Sequence, residues 1–448
     1  MKTKIDIFKV SIWESLLKLS WPIILANIFQ AVYNITDTYF LGKLGSIEIA
    51  APTISWPLIF IFISISGGFS MAGSSMVAQY TGMKRKELAE KSAAQTILTV
   101  TLISIITMLF GLFFSKSMLY YIGARDLTLE YSLKYFNIIL ISTPFLFFFE
   151  VNTAILRGWG NTFTPLILRF FSITLNIILD PIFIFVFKMG VEGAAIATLI
   201  SKIIFSLYLM YEMFTGKYGF KIHLKDLKFD LRYIKKILLI GLPTSFGQSV
   251  TAMGFAIIMK VVSKFGTNVV TAYGIGNRVT NLIVMVSMGI SGATSIMIGQ
   301  FIGSNNKNKA IETLKKASIL TFFSVFILSF FLFLYGKNVT SFFINEIEVI
   351  NTGKIYFSMV SLSLPFFATM SIFLAAMNGT GHTVQTTIIN LTRLWIIRIP
   401  LIKLMADYYG FIGIFYAMII SNILAMLLAY GFLKTDKWKI RLVKEYEN

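Results

Sequence analysis

The sequence predicts an all-α polytopic membrane protein whose twelve transmembrane helices form two parallel six-helix repeats around a central cleft. Three observations predict it: apolar runs of spanning length, a one-sided distribution of Lys and Arg, and a register in which the chain overlays itself. Of the 448 residues, 56% are hydrophobic and 14% charged, against roughly 25% charged in a soluble chain. Most of the surface is therefore built to face lipid.

A spanning helix takes about 20 predominantly apolar residues. Six runs meet that length at about 16–41, 50–78, 93–114, 133–155, 163–187 and 193–214. Six more follow at about 234–261, 271–300, 316–335, 355–377, 385–406 and 411–433. Pro22 and Pro243 stand inside the first and seventh runs and give each a place to bend, because proline removes one i→i−4 hydrogen bond. The first run is too long for a signal-peptide core and lacks a small-residue cleavage site, so it is expected to remain as a span.

Lys and Arg orient the set. They gather in the N-terminal tail (Lys2, Lys4, Lys9), the 2–3 loop (Lys84, Arg85, Lys86, Lys91), the 6–7 connector, the 8–9 loop (Lys307, Lys309, Lys315, Lys316) and the C-terminal tail from Lys434 to Lys444. All of these lie on one side of the membrane, while the other side carries scattered cations such as Lys43, Lys188 and Lys264. Excess Lys and Arg mark cytoplasmic loops, so both termini are expected in the cytoplasm of a multi-pass plasma-membrane protein. The net charge of +19 is thereby assigned to topology. Nucleic acid is not an expected partner, because no polar stretch is long enough for a soluble basic domain.

Shifted by 221 residues, the sequence meets itself almost without a gap: Pro22 falls on Pro243, Gly45 on Gly266, Ala51 on Ala272 and Gly68 on Gly289. "GSSMVAQYTG" (73–82) falls on "TSIMIGQFIG" (294–303), Pro144-Phe145 on Pro365-Phe366, and "RGWGNT" (157–162) on "NGTGHT" (378–383). Matches at Gly, Pro and Gln held over so long a register mark an internal duplication. An even number of spans per copy gives the halves one orientation, and substrate is usually handled at such a repeat interface. The expected division is an N-terminal lobe (1–214), a cytoplasmic linker (215–235) and a C-terminal lobe (236–448).

Ionisable groups in spanning helices are costly, about 2.5–3.5 kcal/mol each on insertion scales, and are functional candidates by default. Segment 1 carries Asn27, Gln30, Asn34 and Asp37 on one helical face, with Tyr33 one turn before Asp37. Segment 5 carries Arg169, Asn176 and Asp180 on one face, and Pro181 loosens the helix beside Asp180. At 1.5 Å per residue, Asp37 lies about 6 Å and Asp180 about 10 Å from the outer ends of their spans. Tyr135 and Thr198 start segments 4 and 6 in the same layer. Two carboxylates sharing a site cannot both stay charged cheaply, so the pair is expected to take up H+ or hold Na+. Gln30, Asn34 and Asn152 are candidates for a substrate cavity. In the second half Ile258 and Leu401 stand at the repeat positions of the two aspartates. Cations appear there instead: Lys260, Arg278, Arg393, Arg398 and Lys403. Arg278 and Arg398 are expected to line the cavity and meet anionic groups or the Asp pair. Glu150 is expected to pair with a cation such as Arg157.

Other chemistries are poorly served. There is no cysteine, His223 and His382 are the two histidines, and no acid-rich metal motif occurs, so neither an enzyme site nor a cofactor is expected. No GxxxxGK[ST] loop is present to drive transport by nucleotide hydrolysis.

The stretches "LSWPIILANIFQAVYNITDTYFLGKLG" (19–45) and "LNIILDPIFIF" (175–185), set in a twelve-helix duplication, resemble the multidrug and toxic compound extrusion (MATE) transporters, with the DinF-type branch the nearest in pattern. The resemblance covers nearly the whole chain. It implies two six-helix lobes forming a V, and export of small amphipathic, often cationic compounds against H+ or Na+. It further implies that Asp37, Asp180, Asn176, Tyr33, Tyr135 and Thr198 form a cation site in the N-lobe, with Pro22 the bending point of segment 1. The NorM-type branch carries a segment 7 glutamate eight residues after the conserved proline. Thr251 stands there in this chain, so coupling is expected in the N-lobe. Related superfamily members flip lipid-linked sugars, and Arg278, Arg393 and Arg398 fit that alternative. No cofactor beyond the coupling ion and no protein partner is implied, and the chain is expected to act as a monomer in the bilayer.

Overall fold

The computed structural model describes residues 4–443, so Lys2 and Lys444, counted above among the tail cations, lie outside the described residues. Among these every regular element is a helix, with no strand. The first six spans are α1 (Ile12–Gly42), α2 (Ser46–Gly82), α3 (Lys86–Tyr121), α4 (Asp126–Gly158), α5 (Phe163–Pro181) and α6 (Gly190–Thr215). Then come α7 (Leu231–Val262), α8 (Thr267–Gly303), α9 (Lys307–Phe343) and α10 (Ile347–Gly379). The eleventh predicted span is α11 (Thr383–Leu391), a π-turn (Thr392–Arg398) and α12 (Ile399–Tyr409) in unbroken succession, and α13 (Phe411–Lys434) is the last.

Every apolar run is thus a helix, and eleven are long and apolar enough by themselves to cross a membrane. The eleventh run falls short of that measure because Arg393, Arg398 and Lys403 interrupt its apolar sequence. Most helices outlast their apolar stretch, since a helix leaving the lipid can go on satisfying its backbone internally with polar side chains. The apolar run of α9 starts near residue 316, yet the helix begins at Lys307, where the Asn306 side chain accepts the Lys309 N–H at 3.1 Å.

The helices sort into two compact units. One comprises Leu25–Ser245 with the few residues before Ile7; the other comprises Ile7–Ile24 and the chain from Phe246 onward. The divisions fall inside α1 and α7, within a few residues of Pro22 and Pro243. In the first unit α4 is central, packed against α2, α3 and α6. Phe62 stacks on Phe136 there at 6.0 Å between ring centroids. In the second unit α10 is central, packed against α8, α9 and α13. The fully buried Tyr356 meets Phe415 edge-on at 5.3 Å.

The duplication is visible within each unit. The α2–α3 turn passes through Lys84 at φ 58° and the α8–α9 turn through Asn305 at φ 60°, the same repeat position in the same left-handed conformation. Two glycines hold equivalent close approaches. A Cβ at Gly158 would lie 2.5 Å from the Ser74 carbonyl oxygen, and one at Gly379 would lie 2.2 Å from that of Ser295.

The connector is held against the first unit. Gln95 donates to the carbonyls of Asp226 and Lys228, each at 2.6 Å, and accepts the Asp230 N–H at 3.0 Å. Phe220 is buried against Trp159. The Arg232 guanidinium, helped by Lys91, holds the Asp230 carboxyl well below the usual carboxylate range.

Gly158→Ala and Gly379→Ala should each destabilise the protein by about 1–3 kcal/mol, the usual cost of overpacking a tight contact. Gly274, also helical, has open space where its Cβ would be, and Gly274→Ala should be neutral or slightly stabilising. Thermal unfolding of the three variants in detergent distinguishes these outcomes.

Candidate functional site

The polar groups predicted on segments 1, 4, 5 and 6 come together inside the first unit. Asp180 and Asn176, one turn apart on α5, are buried, and the Asn176 amide donates to Asp180 Oδ1 at 3.3 Å and to Thr198 Oγ1 on α6 at 3.4 Å. Tyr33 of α1 shares a hydrogen bond with the same Thr198 hydroxyl at 3.1 Å, rather than bonding the nearby Asp37. Tyr135 of α4 is 8% exposed and lies within electrostatic reach of Asp37, Tyr33 and Asp180. Asp37 lies within electrostatic reach of Asp180.

Local sequence sets this arrangement. Pro181 has no N–H to continue the ladder, and α5 passes directly from it into a π-turn, Ile182–Val186. The aspartate therefore stands at the last regular turn. On α1, the 3- and 4-residue spacings carry Gln30, Asn34 and Asp37 down one face, where Gln30 donates to Asn34 at 3.3 Å.

The site is rich in acceptors and lacks a basic partner. Asp180 Oδ2 and Asn176 Oδ1 are buried with no hydrogen-bond partner. Asp37 is half-buried, and among the described residues neither aspartate makes an ion pair. Two carboxylates, three hydroxyls and an orphaned amide oxygen form a set suited to a proton or a hard monovalent cation.

Lower in the same unit a second polar cluster departs from expectation. Glu150 pairs with Arg169, at 2.6 and 2.7 Å to its two oxygens, and not with Arg157. Glu150 and Arg157 are seven residues apart on one helix, about 10 Å along the axis, whereas Arg169 reaches across from α5. Arg169 also donates to Gln30 at 3.2 Å, which links α1, α4 and α5. Arg169 thus belongs to this ion pair and not with Asp180, and Gln30 and Asn34 belong to a chain of bonds that begins there.

Asn152 is wholly buried, its amide on the Phe148 carbonyl at 2.7 Å, so it faces the interior of its unit. Pro22 is buried in α1, which continues through it as one helix. Arg278 is exposed on α8. Arg398 is 4% exposed and directs its fork onto Ser421 and Asn422 of α13. Those last two residues were not singled out from the sequence. Their signal is a polar pair in the otherwise apolar "YAMIISNILAM" (416–426).

A duplicated all-helical chain with spans of membrane length and buried ionisable clusters defines a polytopic membrane transporter. The MatE family model matches residues 22–182 and again 243–404, taking the two repeats in turn, and the chain belongs to that family. It is therefore a MATE-type transporter and not an enzyme. The Probable multidrug resistance protein YoeA of Bacillus subtilis (strain 168) is 26% identical, with 95% of this chain and 94% of that protein aligned. The Probable multidrug resistance protein NorM of Thermotoga maritima is 27% identical over 96% of this chain and 94% of its own length. A crystal structure of MATE in complex with MaL6 superposes with a TM-score of 0.91 at 24% identity, over 96% of this chain and 98% of the other, which establishes the fold.

Glu150→Gln should strand the Arg169 guanidinium and cost about 1–3 kcal/mol, less than the roughly 3–5 of a fully buried pair. Glu150→Leu combined with Arg169→Leu should recover most of that loss. A double-mutant cycle on the detergent-unfolding midpoint reads the coupling directly.

Proposed function

We propose that the chain is a secondary antiporter of the DinF-type branch. In this reading it exports small amphipathic, often cationic compounds in exchange for H+ or Na+, with coupling in the first half of the sequence. The observation that carries this reading is the acid pair without a basic partner, in which buried Asp180 Oδ2 and Asn176 Oδ1 have nothing to bond. A proton or Na+ entering from outside gains about 2.3 kcal/mol per charge for each 100 mV. Its arrival neutralises a charge the hydrocarbon layer disfavours and can complete the bonds of the orphaned oxygens. The weakened helix at Pro181 and its π-turn then has a reason to change shape with the state of its neighbour. Related proteins named for multidrug resistance, YoeA and NorM among them, support the substrate class. The two lobes (1–214 and 236–448) with their linker are the bodies expected to move in alternating access.

In a host lacking other pumps, Asp37→Asn and Asp180→Asn should each abolish drug resistance while leaving expression intact. Wild-type resistance in both variants would sink the assignment. Efflux from proteoliposomes under separately imposed pH and Na+ gradients identifies the coupling ion. Transport of a lipid-linked sugar with no ion gradient would replace this reading with a flippase.

The cytoplasmic position of the termini and connector is checked with single cysteines, since the chain has none of its own. A membrane-impermeant maleimide added to whole cells should label Lys264→Cys and leave Lys225→Cys untouched; both positions are exposed.

A further inference from the structure

The second unit holds two guanidinium groups deep in a spanning helix, and among the described residues no acid meets them. Arg393 is 6% exposed and Arg398 4% exposed. In a regular α-helix residues five apart point about 140° away from each other. Here both lie in the π-turn Thr392–Arg398, whose i→i+5 register stacks such residues over one another. Arg398 Nε donates to Ser421 Oγ at 2.8 Å and its Nη2 to Asn422 Oδ1 at 2.5 Å. Arg393 Nη1 reaches the same Asn422 oxygen at 3.5 Å, and its guanidinium lies 4.8 Å from the Phe367 ring. One amide oxygen is thus shared by two cations. Arg393 Nε remains buried without a partner.

Among the described residues of this unit, no carboxylate is available to them. Glu14 pairs with Lys18, Glu312 with Lys316 and Asp436 with Lys439. Glu348 accepts from Asn268, and Glu346 and Asp407 are exposed. Tyr273 and Tyr356 lie within electrostatic reach of Arg398, and a phenol is uncharged at neutral pH. Two like charges held side by side in a non-aqueous interior, with an unfilled donor between helices, are costly unless an opposite charge joins them.

We propose that Arg393 and Arg398, with Ser421 and Asn422 fixing their orientation, form a binding site for a small monovalent anion of the chloride class. Smallness follows from enclosure: with both side chains more than nine-tenths buried, an anion carrying a lipid or drug body has no room to follow its charged group. The proposal is independent of the efflux reading, because it concerns what the second unit binds and not what the protein exports.

The test uses the purified full chain, exchanged into gluconate buffer and titrated with bromide at constant Na+ and ionic strength. Thermal unfolding is followed by tryptophan fluorescence; Trp395 lies in the same π-turn. A saturable rise in midpoint with bromide is expected. Arg393→Met should weaken the apparent bromide affinity about tenfold or more, the loss expected for one charge-assisted hydrogen bond. Crystals grown in bromide should show an anomalous scattering peak between the two guanidinium groups. If Arg393→Met does not fold, the wild-type titration and the anomalous peak decide the matter. A midpoint indifferent to bromide, an equal response in Arg393→Met, or stabilisation by phosphatidylglycerol alone would each overturn the proposal.

Discussion

Inside the hydrocarbon layer there is no water to solvate an unpaired charge, so each ionisable side chain must be neutralised, paired or led back to the surface. The exposed Lys260 and Lys403 lie near the ends of their spans, where a long side chain can reach the interface. Glu150 and Arg169 neutralise each other and recruit Gln30. Among the described residues, Asp37 with Asp180 in one unit, and Arg393 with Arg398 in the other, are left without an opposite charge. They are the sites where something other than the chain has a reason to bind, and they carry opposite signs.

The duplicated scaffold explains how this asymmetry is tolerated. What the two halves share concerns backbone. It includes the left-handed residue that turns α2 into α3 and α8 into α9, the glycine that lets α4 and α10 touch a neighbouring carbonyl, and the prolines of α1 and α7. What they do not share concerns charge. At the repeat position of Asp37, Ile258 is packed into the hydrophobic core of the second unit. At the repeat positions of Arg393 and Arg398 stand Ser172 and Ile177. Backbone geometry common to both copies leaves side chains free to diverge, because a helix in lipid satisfies its own hydrogen bonds whatever its side chains do.

Both π-turns sit where the scaffold and the charges meet. The turn after Pro181 follows directly from a missing N–H donor, and it abuts the buried aspartate. The turn at Thr392–Arg398 has no proline inside it; Pro400 follows it within the first turn of α12. Its effect is to bring two arginines onto one face. In both units, then, the irregular stretch of helix carries or adjoins the uncompensated charge, the placement expected where an intrahelical bond is given up for function.

The number, order and approximate extent of the spans were legible in the sequence, because hydropathy over a span is a sum that neighbours do not alter. The duplication was legible for the same reason, and so was the grouping of Asp37, Asp180, Asn176 and Thr198, since helical period and depth already place them in one layer. Pairing was not legible. Glu150 was expected to meet Arg157 and meets Arg169; Tyr33 bonds Thr198 and not the aspartate one turn away; Arg398 bonds a polar pair on α13 that the sequence did not bring forward. Hydropathy and periodicity are properties of one helix at a time. The partner of a buried charge depends on which helix lies beside it and on the local winding of its own, and these are set only when the bundle packs.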